Sequence, residues 1–128
     1  MTKDLTASKD AFYDQFTTQF FSVDGQLKVT EEQRRQALAL ALASKKAALA
    51  CMTSFGTTDF RDDLPNVTVP TLVLHGSGDG TVPFEGSGQR THAAIPQSEL
   101  VVIDDAPHGL NVSHAQQFNQ ALVSFLSR

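Results

Sequence analysis

The stretch VPTLVLHGSGDGTVPFE, Val69 to Glu85, decides how the rest of the chain is read. Thr71 to His75 is a short run of apolar and β-branched residues, the pattern of a buried strand. Gly76-Ser77-Gly78-Asp79-Gly80 follows as a glycine-rich turn, and Val82-Pro83 marks a second turn. One carboxylate, Asp79, therefore stands just beyond the carboxyl end of a strand. Either it shapes the turn by binding local backbone groups, or it is held there to act on something else.

Downstream, the spacing predicts a helix over 86–94, broken by Pro96-Gln97-Ser98. Leu100 to Asp104, LVVID, reads as a second strand. DAPHGLN reads as a loop, and Val112 to Leu126 as an amphipathic helix with Phe118, Leu122, Phe125 and Leu126 on its apolar side. Strand, helix, strand, helix is the grammar of a parallel βαβ sheet. Two parallel strands cannot cover their own faces and outer edges. The residues should therefore pair with further strands or with a partner.

Upstream, Phe12, Phe16 and Phe20 recur every four residues, a helical stripe flanked by Tyr13 and Phe21. As core it would pack on the exposed sheet. Val23-Asp24-Gly25 is a turn. Thr30-Glu31-Glu32-Gln33 is a capping-box signature, with two acids at the positive end of the helix dipole. One helix is expected from about Glu31 to Met52, with Leu38, Leu42, Leu49 and Met52 near one face and an alanine-rich middle.

The bulk properties narrow the function classes. A chain of 128 residues suggests a single domain. A formal charge of -4 with no block of like charges leaves no electrostatic footprint for nucleic acid or an anionic membrane. Cys51 is alone, so no disulfide forms within the chain, and it reads as a small core residue on a helix. The polar start MTKDLTASKD and the lack of a long apolar run lead to the expectation of a cytoplasmic protein.

Active groups of open α/β sheets gather outside the carboxyl ends of the strands. Asp79 follows the first strand and His108 the second. A carboxylate beside an imidazole fixes its tautomer and stabilises the imidazolium. His75 ends a buried strand and reads as structural; His92 and His114 read as solvated or capping. The four histidines lack a metal-ligand spacing such as His-Glu-x-x-His. A dinucleotide-binding reading of the glycine turn fails at Thr81, where glycine would be needed.

Taken together, VPTLVLHGSGDGTVPFEGSG followed by IDDAPHGL resembles the C-terminal part of an α/β-hydrolase, closest to the cofactor-free haloperoxidase and perhydrolase esterases. In that family a strand is followed by His-Gly, the triad aspartate and Val-Pro, here His75-Gly76, Asp79 and Val82-Pro83. The triad histidine lies in a loop matched by Ala106-Pro107-His108-Gly109, and DFRDDLPNVTVP resembles the segment leading into the acid-bearing strand. The resemblance implies an α/β fold: a partial α/β-hydrolase sheet of two parallel strands with flanking helices and N-terminal cap-like helices. It divides the single domain 1–128 into a helical cap-like segment, 1–56, and part of the hydrolase core, 57–128. It also implies that Asp79 is the triad acid and His108 the base, offers the Phe12, Phe16 and Phe20 stripe an alternative place lining an acyl pocket, and calls for no metal or organic cofactor.

The departures are specific. No Gly-x-Ser-x-Gly pentapeptide is present, and that elbow is what lifts a nucleophilic serine above the sheet. Gly76-Ser77-Gly78 and Gly86-Ser87-Gly88 have the wrong spacing, so Ser77 and Ser87 are weak substitutes. Ser77 also stands where the family often has an acid. Two readings follow. The chain is the acid-and-base portion of a serine hydrolase acting on a small ester or acyl substrate, inactive alone and completed by a separate N-terminal half. Or it is a non-catalytic module, binding itself or a small ligand, with a homo-oligomer formed through the open edge of the first strand.

Overall fold

In the computed structural model, which describes residues 9–44 and 47–128, the elements alternate around a small parallel sheet. Helix α1 (Lys9–Phe20) leads into a two-residue hairpin, β1 (Ser22–Val23) and β2 (Gln26–Leu27). Helices α2 (Glu31–Ala43) and α3 (Ala47–Thr57) follow. Then come β3 (Thr71–Gly76), α4 (Gly88–Ala94), β4 (Ser98–Ile103), α5 (Leu110–Ser113) and α6 (Ala115–Leu126). Single 3-10 turns at Leu64–Asn66 and Phe84–Gly86 precede β3 and α4.

β3 and β4 run parallel in the register Thr71 with Ser98 through Gly76 with Ile103. One sheet face carries Leu74, Val101 and Ile103, which pack with Ala106, Leu110 and Phe118 into the core beneath α6. Burial of Ile103 and Leu110 contributes about 2 kcal/mol each. The other face meets α4, with the His75 and Phe84 rings 5.4 Å apart. Among the described strands β3 pairs only with β4, so its outer edge is open, and Thr71–His75 are only half-buried.

The predicted strands and the capping box are present. Thr30 Oγ1 accepts from the Gln33 N–H, and the Gln33 side chain accepts from the Thr30 N–H, both at the start of α2. The Val23–Gly25 turn is the tip of the β1–β2 hairpin, with Asp24 and Gly25 at φ 49° and 78°, the left-handed pair that such a tight turn requires.

Two expected helices are broken instead. The helix expected over 31–52 stops at Ala43 because Ser44 is extended (φ −64°, ψ 138°). The Ser44 hydroxyl lies 2.8 Å from the Tyr13 hydroxyl of α1, a tertiary tie that overrides good helix propensity. The helix expected over 112–126 breaks at His114 (φ −122°, ψ 41°). That break lets α5 follow the preceding loop while α6 lies on the strands. Cys51 and Phe55 on α3 are exposed, so Cys51 is not a core residue; apolar helical sequence does not specify which face a neighbour covers. Leu38 and Met52 are half-buried, Leu42 is exposed, and the Leu49 side chain lies outside the described residues, as do residues 1–8.

The buried line of Tyr13 and Thr17 on α1 continues to Phe21 just beyond it. Phe12, Phe16 and Phe20 form a half-buried stack beside it, with ring centroids 6.0 and 5.7 Å apart. Arg34 joins α2 to α1 by donating to Asp14 at 2.8 Å, and it also donates to Glu31 of its own helix at 2.7 Å. Among the described residues no helix is long and apolar enough to cross a membrane.

Candidate active site

The turn after β3 is built so that Asp79 faces inward. The Ser77 N–H donates to the Ile103 carbonyl and the Gly78 N–H to the Ala106 carbonyl, which ties the turn to the loop after β4. The Asp79 carboxylate is nearly inaccessible, its side chain 2% exposed. Its Oδ1 accepts the N–H groups of Thr81 (2.9 Å) and Val82 (2.8 Å). The turn-shaping reading of Asp79 is thus half right, since one oxygen does cap local backbone.

The other oxygen binds His108. Nδ1 of His108 lies 2.7 Å from Asp79 Oδ2. A carboxylate accepts, so Nδ1 carries the proton and Nε2, across the ring, is left as the basic nitrogen. The His108 side chain is a third exposed. Its ring meets Phe20 edge-on with centroids 4.7 Å apart.

The N-terminal segment is sewn to both loops. The Gly109 N–H donates to the Phe20 carbonyl at 2.9 Å. Gln19 donates to the Gly80 carbonyl at 3.2 Å, and Lys28 pairs with Asp105 at 2.6 Å. A cavity of about 380 Å³ opens beside the pair, with Phe20, Leu74, Leu110 and Phe118 as its apolar walls. An imidazole oriented by a buried carboxylate at the mouth of such a cavity is suited to move a proton to or from a bound oxygen.

The other sequence candidates fall elsewhere. The Ser77 hydroxyl donates to Asp104 (3.1 Å) and accepts the Asp105 N–H (2.9 Å), so it fastens the two loops to each other. The Ser87 hydroxyl donates to the Pro83 carbonyl at 2.7 Å. His92 is half-buried, and its Nδ1 lies 2.7 Å from the buried Ser98 hydroxyl. His114 stands at the start of α6, beside the Ser113 hydroxyl at 2.9 Å. His75 is nearer the pair than a structural role requires, with Nε2 3.3 Å from Asp79 Oδ2. Its position one residue before the glycine turn was the sequence signal for that. Among the described residues, no cluster of three or more histidine, cysteine or acidic side chains is placed to hold a metal ion.

One atom of the turn is left over. Thr81 Oγ1 is buried without a hydrogen-bond partner among the described residues, while its backbone N–H serves Asp79. An unpaired buried hydroxyl costs about 1–3 kcal/mol. Thr81→Val is therefore expected to leave stability unchanged or raise it by about 1 kcal/mol in thermal unfolding. A clear loss of stability would show that the hydroxyl is satisfied after all.

A family described as TAP-like protein matches residues 41–128. The chain is 38% identical to a putative non-heme chloroperoxidase of Synechocystis, over 97% of its own length and 46% of the relative's. It superposes on the crystal structure of a bromoperoxidase from Bacillus anthracis with a TM-score of 0.95 and 43% identity, covering 99% of this chain and 47% of that one. An esterase from Exiguobacterium antarcticum matches with a TM-score of 0.90 and 25% identity. The chain thus spans about half the length of the relatives it matches.

Proposed function

Since the chain belongs to the TAP-like family of α/β-hydrolases, we propose that it carries the acid and the base of an ester-hydrolysing site whose serine lies on polypeptide outside these residues. The 2.7 Å bond between Asp79 and His108 is the observation that carries this reading. His108 Nε2 takes the proton of the serine as its oxygen attacks the ester carbonyl. It then gives that proton to the departing alcohol, and repeats both transfers with water to release the acid. Asp79 keeps the proton on Nδ1 and stabilises the imidazolium at each transfer. Phe20, Leu74, Leu110 and Phe118 favour an apolar acyl group beside the pair. Residues 1–56 act as a cap over that group, and 57–128 supply part of the sheet. This chemistry draws on no metal or organic cofactor. Peracid formation is the same cycle with hydrogen peroxide in place of water.

The open edge of β3 is where the missing sheet adds, because its unpaired N–H and C=O groups need partners. The test is a fusion that places the portion of the Bacillus anthracis bromoperoxidase not covered by this chain ahead of it. A fluorophosphonate probe should label one serine, in the added portion, and p-nitrophenyl acetate should turn over. The chain alone should do neither. Labelling of a serine within the isolated chain, or a folded fusion that is not labelled, would overturn the reading.

The same open edge favours a second reading, in which two copies pair along β3 as a two-fold homo-oligomer without catalysis. Sedimentation of the isolated chain separates the two. A dimer that persists at low concentration supports self-association; a folded monomer removes it.

A further inference from the structure

Asp79 is held by more than its own turn. The Val82 peptide works in two directions: its N–H donates to Asp79 Oδ1 at 2.8 Å, and its carbonyl accepts from His75 Nε2 at 2.9 Å. The same Nε2 lies 3.3 Å from Asp79 Oδ2, the oxygen that binds His108. Asp79, Val82 and His75 therefore close a ring of contacts, and His108 is attached to that ring at one oxygen.

We propose that His75 is a positioning residue for the Asp79–His108 pair. A carbonyl only accepts, so His75 must carry its proton on Nε2 in this arrangement. That places a positive N–H dipole next to Asp79 Oδ2 without taking the oxygen from His108. His75 is suited to the task because it sits on β3, in register with Val102, with its side chain 11% exposed and its ring against Phe84. Turn residues are the mobile part of such a site, whereas a strand residue is a fixed reference.

The two carboxylate oxygens are thereby given different duties. Oδ1 is saturated by the Thr81 and Val82 amides, and Oδ2 is aimed at His108. If His75 lost its donor, the Val82 carbonyl would lose its partner. The turn would relax, and Oδ2 would no longer be directed at the imidazole. A histidine that merely filled space under α4 would produce none of this. The catalytic meaning of the brace rests on the hydrolase reading, whereas the brace itself is a property of the isolated chain.

NMR of the isotopically labelled chain tests it without any turnover. In the unaltered protein, His75 should be the neutral Nε2–H tautomer by its ring nitrogen shifts. The His108 Nδ1–H should give a low-field proton resonance, slow to exchange with water. His75→Phe should lose or broaden that resonance while the amide signals of α1 and α2 stay in place. His75→Gln, whose side-chain amide can donate to the Val82 carbonyl, should keep it. An unchanged resonance in His75→Phe would overturn the brace. So would an unprotonated His75 Nε2 in the unaltered protein, a measurement that decides the matter even if the phenylalanine variant fails to fold. Asp79→Asn separates the two levels: if the resonance survives that change, the Asp79–His108 pairing fails, and the acid–base reading with it.

Discussion

His108→Ala in the fused, completed enzyme is expected to lower kcat for p-nitrophenyl acetate by about 10⁴-fold or more, with KM little changed. In the proposed cycle the imidazole carries the proton in both halves, and its Nδ1 lies 2.7 Å from Asp79 Oδ2. The apolar walls proposed to take the acyl group are separate residues, so on that reading binding should survive the change. Asp79→Asn should cost about 10⁴-fold as well, because an amide that donates toward Nδ1 selects the wrong tautomer. The two losses should not add, since both act through one imidazole. The check is steady-state kinetics on the single and double variants. A His108→Ala enzyme retaining a tenth of its activity would assign the base to another residue.

Gly76→Ala is expected to be the most damaging single-methyl change for folding. A Cβ at Gly76 would stand 2.2 Å from the Ala106 carbonyl oxygen and 2.8 Å from that of Pro107. These are backbone atoms of the loop that carries His108, so no side-chain rotation relieves the clash. Overpacking of this kind costs about 3 kcal/mol or more. For a chain of this size that lowers the melting temperature by about 10 °C. The clash would also part the β3 turn from the β4 loop, two segments now joined by the Gly78 N–H to the Ala106 carbonyl at 3.0 Å. Calorimetry reads the first effect, and the His108 Nδ1–H resonance reads the second. A variant with unchanged melting temperature would show that the loop can move aside freely.

Much of this was legible in the residues. The apolar run ending at His75 and the run LVVID announced two neighbouring parallel strands. The grammar of α/β sheets then put Asp79 and His108 at the same end, and the 2.7 Å contact bears that out. Thr30-Glu31-Glu32-Gln33 announced the start of α2 to the residue. These signals survive in one dimension because they are local. A strand needs a short apolar run, a cap needs a hydroxyl before the first turn, and a tight turn needs glycine or a short polar side chain.

Other features were decided only by folding. Nothing in ALALALASKKAALA forbids a continuous helix; α2 stops where Ser44 is extended and its hydroxyl meets that of Tyr13, 31 residues away. Ser77 read as a weak substitute nucleophile, yet its hydroxyl fastens the Asp79 turn to the Asp104–Asp105 loop. His75 read as structural, and only the return of Val82 toward it gave its Nε2 a partner beside Asp79. The aromatic stripe was recognised, but not which of its edges would be buried: Tyr13, Thr17 and Phe21 went inward, and Phe20 turned to His108. Composition and periodicity thus determined which segments became strands, helices and turns, because those preferences depend on neighbours along the chain. Which side chains met, which faces stayed open and which histidine served the carboxylate depended on distances between segments, which exist only once the chain has folded.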